Sequence, residues 1–255
     1  MDGSDFLPVI VEAKEAHRRV VAACCADCTA ISCRRRFNVG RSAGASVAPW
    51  PGLRGPAITV KNGVVVLTDP KPRKRVLLAD FIRSDENHAL DLPQDDRLKT
   101  ISTFLEGAIK EGTTLPVRLA CEKFLNTAAN FYKVERTPIR VLAARPVRSR
   151  EGGWGYELFG DYHPDTKLIR VWMRTAVRKQ VTTYGTFFST LCHEFCHHLD
   201  YKLFGYRDTW HTRGFYERAA LLYHHARGTP PKRLFWVTIP GGRWRINWQR
   251  TARGR

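Results

Sequence analysis

The sequence predicts an α+β fold in which a small twisted β-sheet lies over one central helix. Three strand-like runs, Ile139 to Ala144, Tyr156 to Tyr162 and Lys167 to Met173, follow one another between two segments of helical periodicity. The second of those segments contains His193-Glu194-Phe195-Cys196-His197, with apolar residues gathered along one side of it. Apolar residues make up 43% of the 255-residue chain, enough for a genuine core around such a layered arrangement.

Taken from the N-terminus, residues 1–55 read as a basic arm rich in Ala, Cys, Arg and Pro, with a weak helix at Phe6 to Val21. A segment of this composition buries little apolar surface, and partial disorder is expected of it. Residues 56–113 form a small accessory segment. Within it Ile58 to Leu67 predicts a hairpin turned at Asn62-Gly63 between β-branched residues, Val76 to Ile82 predicts a strand, and Lys99 to Glu111 predicts a helix through Ile101, Phe104, Leu105 and Ile109.

Residues 114–228 form the unit with the chemistry. It opens on a helix over Val117 to Tyr132, where Leu119, Phe124, Ala128 and Phe131 recur at helical spacing. The three strands follow, joined at Gly152-Gly153 and at His163-Pro164-Asp165, and Leu168 to Met173 is the expected edge of the sheet, where an extended peptide can pair. The histidine-bearing helix comes next. Thr186 is its expected N-cap and Gly205 its expected stop, which makes a buried helix of about 18 residues. Residues 229–255 are a basic tail rich in Trp and Arg.

On the central helix, Phe187, Phe188, Leu191, Phe195 and Leu199 share one side, and His193, His197 and Asp200 share the other. Residues four apart lie one turn above each other, so His193 and His197 can offer imidazole nitrogens to one metal ion. Glu194 then stands beside that metal, placed as a general base toward a water that zinc brings near a pKa of about 7. A catalytic zinc needs a third protein ligand and one open position. His211, close to the start of a helix with Phe215, Ala219, Leu222 and Tyr223 on its apolar face, is the first choice, and Glu217 is the alternative. His198 points about 100° away from the pair and reads as a packed or supporting histidine. Asp200 lies nearly in line with His193 and reads either as a hydrogen-bond partner that orients a ligand imidazole or as a surface aspartate. His163, Tyr184 and Tyr206 are candidates for a transition-state donor.

The pair His193-Glu194-x-x-His197, with a third histidine in the pattern His211-x-x-x-Phe215, resembles the SprT-like and Spartan-like zinc metalloproteases and the related small minigluzincin-type bacterial peptidases. The resemblance covers roughly Arg118 to Arg227. It implies a zincin-like fold, Zn2+ bound by His193, His197 and His211, and Glu194 acting as base and then acid in peptide-bond hydrolysis. It also implies a DNA-associated protein or peptide substrate, because Spartan-type members cleave proteins attached to DNA. Many SprT members carry a C-terminal zinc ribbon; here no cysteine follows Cys196.

A formal net charge of +18 implies attraction to polyanions, nucleic acid first among them. The charge is concentrated at Arg34-Arg35-Arg36, from Lys71 to Arg75, and in the tail, where Arg227 to Arg255 holds no acidic residue. In the tail Arg243, Arg245 and Arg250 alternate with Trp244 and Trp248, cations for phosphates and rings for bases. The same residues also suit a hairpin turned at Gly241-Gly242 that packs its tryptophans on the catalytic unit. No apolar run is long enough to span a membrane, and charged residues from Glu12 to Arg19 exclude an export signal ahead of Cys24. Seven cysteines, an odd number with two on the metal helix, fit a reducing cytoplasm better than a disulfide scaffold. Cys24, Cys25, Cys28 and Cys33 read as reduced thiols of the arm, with a second metal site as the alternative. The leading expectation is a zinc metallopeptidase. A nucleic-acid-binding protein with a structural or inactive zinc site, and a zinc hydrolase acting on a non-peptide bond, are the rivals.

Overall fold

The computed structural model describes residues 66–150 and 154–254. The arm of residues 1–55, its four cysteines and the Asn62-Gly63 turn lie outside the described residues. The described chain is mixed α+β, in the order α1 (Arg75–Glu86), α2 (Arg97–Glu111), α3 (Thr114–Tyr132), β1 (Ile139–Ala144), β2 (Val147–Arg150), β3 (Trp154–Glu157), β4 (Gly160–His163), β5 (Leu168–Arg174), α4 (Tyr184–Lys202), α5 (Arg213–Arg227), β6 (Trp236–Ile239), β7 (Arg243–Ile246) and α6 (Trp248–Arg253).

One apolar core runs through these elements. Leu98, Ile101 and Leu105 of α2 join Val117, Phe124 and Leu125 of α3, Ile169 and Val171 of β5, Phe188, Leu191 and Phe195 of α4, and Phe215 and Leu222 of α5. Val66 near the start and Leu234 and Ile246 near the end belong to the same cluster. The apolar stripe read from the α4 sequence is therefore its core face, and Phe124 and Phe188 meet edge to face across it with ring centroids 5.1 Å apart. No helix among the described residues is long and apolar enough to cross a membrane.

Three expectations are corrected. The segment Val76 to Ile82 lies inside helix α1 and not in a strand. A short run that is apolar apart from Asp80 does not separate the two by periodicity. Helical winding turns Asp80, Phe81 and Ser84 inward, where Asp80 accepts from Arg207 N–H at 3.1 Å and its guanidinium at 3.0 Å. The run Tyr156 to Tyr162 is two strands: β3 pairs antiparallel with β2, whereas β4 pairs antiparallel with β5. The chain changes partners at Leu158 and Phe159, where Leu158 N–H donates to Pro146 O and Phe159 O accepts from Trp172 N–H. Finally, β5 is the centre of the three-stranded sheet and not its edge, in the order β1-β5-β4 with β1 parallel to it. Ile169, Val171, Trp172 and Met173 are all buried, as befits a strand flanked on both sides. The edge over α4 is β4.

Helix α4 begins one turn earlier than the expected Thr186 cap, because Thr183 is the N-cap and its hydroxyl accepts from Thr186 N–H at 3.3 Å. Its end is closed by Leu203 and Phe204 N–H groups on Leu199 O, after which Gly205 takes a left-handed φ of 65°. Helix α5 starts at the Thr212 cap and touches the end of α1 so closely that a Cβ on Gly214 would meet Ser84 O at 2.2 Å and Asn87 O at 2.5 Å. The tail forms the β6–β7 hairpin, with Gly241 and Gly242 both at positive φ in its loop.

Arg218 of α5 is the largest fully buried side chain, and it spans three helices. It donates to Asp200 Oδ1 of α4 at 2.7 Å, to Ser84 O at 3.1 Å and Ser84 Oγ at 3.2 Å in α1, and to Asn87 O just beyond. Arg218→Leu would leave the Asp200 carboxylate and the Ser84 and Asn87 carbonyls without this cation, so the variant is expected to lose about 3–5 kcal/mol of stability. Urea unfolding of the native and variant chains measures it.

Candidate metal centre

His193 and His197 leave the buried side of α4 one turn apart, and His211 enters from the segment that leads into α5. All three are buried. His193 Nε2 lies 3.0 Å from His211 Nε2 and 3.1 Å from His197 Nε2, and one ligand atom from each lies within 4.8 Å of the others. A tetrahedral ion with bonds of 2.0–2.1 Å would set its nitrogens about 3.3 Å apart. Three histidines are therefore grouped as a metal site would group them.

The neighbours fix which nitrogen of each ring faces inward. Asp69 Oδ2 accepts from His211 N–H at 2.9 Å and lies 3.1 Å from His211 Nδ1. A carboxylate there selects the Nδ1–H tautomer and leaves Nε2 as a lone pair. Thr209 Oγ1 lies 2.7 Å from His197 Nδ1 and donates to Asp200 Oδ2 at 3.1 Å. A hydroxyl has one proton; with it committed to Asp200, the oxygen accepts from His197 Nδ1–H, and His197 Nε2 is likewise bare. Two lone pairs thus converge on His193 Nε2, an arrangement that a shared cation stabilises. Burial first, and the neighbouring imidazoles next, hold His193 and His197 well below the ordinary histidine range, so both stay in the neutral, ligating form. Burial pushes the Asp200 carboxyl up to about 6 against Arg218 and Thr209, which still leaves it ionised at neutral pH.

Asp200 therefore acts on His197 through Thr209, although its spacing had pointed to His193, and its complete burial excludes the surface alternative. His198 is a packed residue: Tyr162 O–H donates to its Nδ1 at 2.9 Å, and its Nε2 donates to Glu135 O at 2.7 Å. Glu217 stands apart from the trio. Its two oxygens meet His88 Nδ1 at 2.9 Å and Trp236 Nε1 at 2.8 Å, so geometry makes His211 the third member.

Glu194, next to His193, is buried beneath edge strand β4. A Cβ on Gly160 would meet Glu194 Oε1 at 2.8 Å and Cγ at 2.9 Å, so only glycine lets the strand lie this close to the carboxylate. The three proposed donors sit elsewhere. His163 faces Asp161 at 3.4 Å, Tyr184 stacks on Phe188, and Tyr206 stacks on Phe204. The hydroxyl-bearing ring against the trio is Tyr216, 5.6 Å from His211 between centroids and near parallel to it.

The tail residues named for nucleic acid divide between packing and exposure. Arg243 Nε donates to Thr68 O at 2.6 Å, Trp244 lies under the Arg213 guanidinium at 4.5 Å, and Arg245 bridges Leu67. Trp248 packs on the core, whereas exposed Arg250 lies over Phe235 at 4.6 Å. Residues missed in the sequence are Asp69, Thr209, Gly160 and Tyr216. Tyr216 alone carried a signal, as an aromatic beside Phe215 in the helix that follows His211.

Metal content is the direct check of this geometry. His211→Ala is expected to lose most of the metal that the native chain takes up, whereas Glu217→Ala keeps about one equivalent. No family model, curated protein or solved structure matches the chain.

Proposed function

We propose that the chain is a zinc-dependent metallopeptidase with a zincin-like fold and SprT-like character. The observation that carries this reading is a buried three-histidine set with a buried carboxylate, Glu194, adjacent in sequence to one of its members and covered by an edge strand. Nitrogen ligands of this kind suit zinc, which when bound supplies Lewis acidity to a carbonyl oxygen and to a water. His193, His197 and His211 would hold the ion through Nε2. Glu194 takes the proton from the attacking water on a carboxylate oxygen and passes it to the leaving amine as the C–N bond breaks. The outer edge of β4 offers backbone groups to an extended peptide, which presents its scissile bond along the trio. A purely structural metal site has no need of a carboxylate at Glu194, and that favours the enzyme over a nucleic-acid-binding protein with an inactive site.

Glu194→Gln is expected to fold and hold its metal while peptide hydrolysis falls by about 10²–10⁴-fold, the usual contribution of a positioned general base. Parallel metal analysis and casein cleavage check it; cleavage at the native rate would end the proposed mechanism.

The proposed partner is nucleic acid, DNA first, which brings the peptidase to proteins bound there. Support comes from the tail, where Arg250 and Arg253 are exposed and no carboxylate lies between Arg227 and Arg255. Contacts to phosphates release counterions, so the affinity for an oligonucleotide is expected to fall steeply with salt, and replacing Arg250 and Arg253 by Ala should flatten that slope by about one to two. Absence of binding at low salt would leave the charge without this role.

A further inference from the structure

His193 and His197 ride on one rigid helix, so their mutual placement is set by α4 alone. His211 has no such support, because it lies between α4 and α5. Besides the rings of His193, His197 and Phe215 that pack on it, two groups of contacts lead from His211 toward the tail hairpin.

Asp69 is bound to His211 three times. Besides the two contacts of its carboxylate, Asp69 N–H donates to His211 O at 2.9 Å. Asp69 is itself the end of a short extended stretch laid along β7 of the tail hairpin. Ile246 N–H donates to Val66 O at 3.2 Å, Thr68 N–H to Trp244 O at 2.9 Å, Trp244 N–H to Thr68 Oγ1 at 2.9 Å, and Arg243 Nε to Thr68 O at 2.6 Å. From the other side, Trp236 of β6 is pinned through its Nε1–H to Glu217 and packs on Tyr216 with centroids 6.0 Å apart. Tyr216 then stacks on His211. Both strands of the hairpin therefore lead to the same imidazole, one by hydrogen bonds and one by rings.

We propose that the C-terminal hairpin is a clamp that holds the third ligand and thereby sets the affinity of the metal centre, with Asp69 as the positioning residue, Thr68 as the joint to β7, and Trp236 with Tyr216 as the opposing jaw. The proposal rests on the reading of the histidine trio as a metal site. Its physical basis is that an imidazole already held in the ligating tautomer and orientation pays no ordering cost when the ion arrives. A residue such as Thr68, which touches no ligand, then controls metal binding because it fixes Asp69. A partner that shifts the hairpin acts on His211 by the same route.

The test uses the full chain and measures zinc affinity by competition with a chelator, cobalt absorption bands as a report of ligand geometry, and the urea midpoint of the metal-free protein. Asp69→Asn should weaken zinc about 10–100-fold. Thr68→Val, which keeps the shape and removes the acceptor of Trp244 N–H, should weaken it several-fold and alter the cobalt bands. The double variant should lose less than the product of the two, because both act through one link. Lys110→Ala, exposed on α2 and away from residues 66–69, should leave affinity unchanged. Should Thr68→Val not fold, Trp236→Phe keeps a ring on Tyr216 and removes the bond to Glu217, and weaker zinc binding is again expected. Native affinity and native cobalt bands in the folded Asp69 and Thr68 variants, or in Trp236→Phe, overturn the clamp and leave the trio as the site. A native chain that takes up no metal removes the reading of the trio, and the clamp with it.

Discussion

The buried contact between Arg218 and Asp200 is the constraint around which the described chain is arranged. Placing two charges in a core costs several kcal/mol for each ion, and attraction offsets that only where geometry is good and every remaining donor finds an acceptor. Here the guanidinium has such acceptors on α1 as well as on α4. The requirement fixes how α5 lies against both neighbours. It also explains the contact at Gly214, since the α1 carbonyls can reach Arg218 only if the start of α5 carries no side chain at that point. Through Thr209 the other oxygen of Asp200 reaches His197, so the same pair that orients the helices also orients an imidazole.

The centre has its charges one step removed from the imidazoles. The rings themselves are buried, packed among Phe215 and Tyr216, and the carboxylates stand behind them: Asp69 directly on His211, Asp200 behind Thr209 on His197. Each carboxylate selects a tautomer and makes the inward-facing nitrogen more basic, without itself entering the space between the three rings. Glu194 is the one acid adjacent to the trio in sequence, and the bare backbone of Gly160 keeps strand β4 against it. A side chain at residue 160 would separate the strand from the helix and the carboxylate from its place.

Much of this was legible in the sequence because it is periodic. Leu119 aside, the apolar positions of α3 and α4 that recur at helical spacing are those that meet in the core, and the buried residues of β5 alternate and then run together as a central strand requires. Where periodicity was ambiguous the reading failed. Val76 to Ile82 is apolar except at Asp80, and it packs as a helix in which Asp80 meets Arg207, a residue remote in sequence. Strand order was invisible for the same reason, since nothing local to Leu168–Arg174 says that β1 will pair on one side and β4 on the other. At the centre, His193 and His197 declared themselves by spacing and Glu194 by adjacency. His211 was the first choice and Glu217 the alternative, and both the approach of His211 Nε2 to His193 and the contacts of Glu217 with His88 and Trp236 separate them. Asp69 had no sequence signal, because 142 positions lie between it and its imidazole.

That separation has a consequence for the order in which the molecule is built. As the chain is synthesised, α4 can present two imidazoles as soon as it packs on the sheet, and His211 follows shortly after. The stretch that steadies His211, residues 66–69, was made long before, and it gains its contacts with β7 only once the tail hairpin emerges. Contacts so distant along the chain close late, because the entropy of the intervening loop must be overcome before they give anything back. A nascent chain that stops short of Trp236 thus carries all three histidines without the hairpin contacts that reach Thr68 and Tyr216 and, through them, His211.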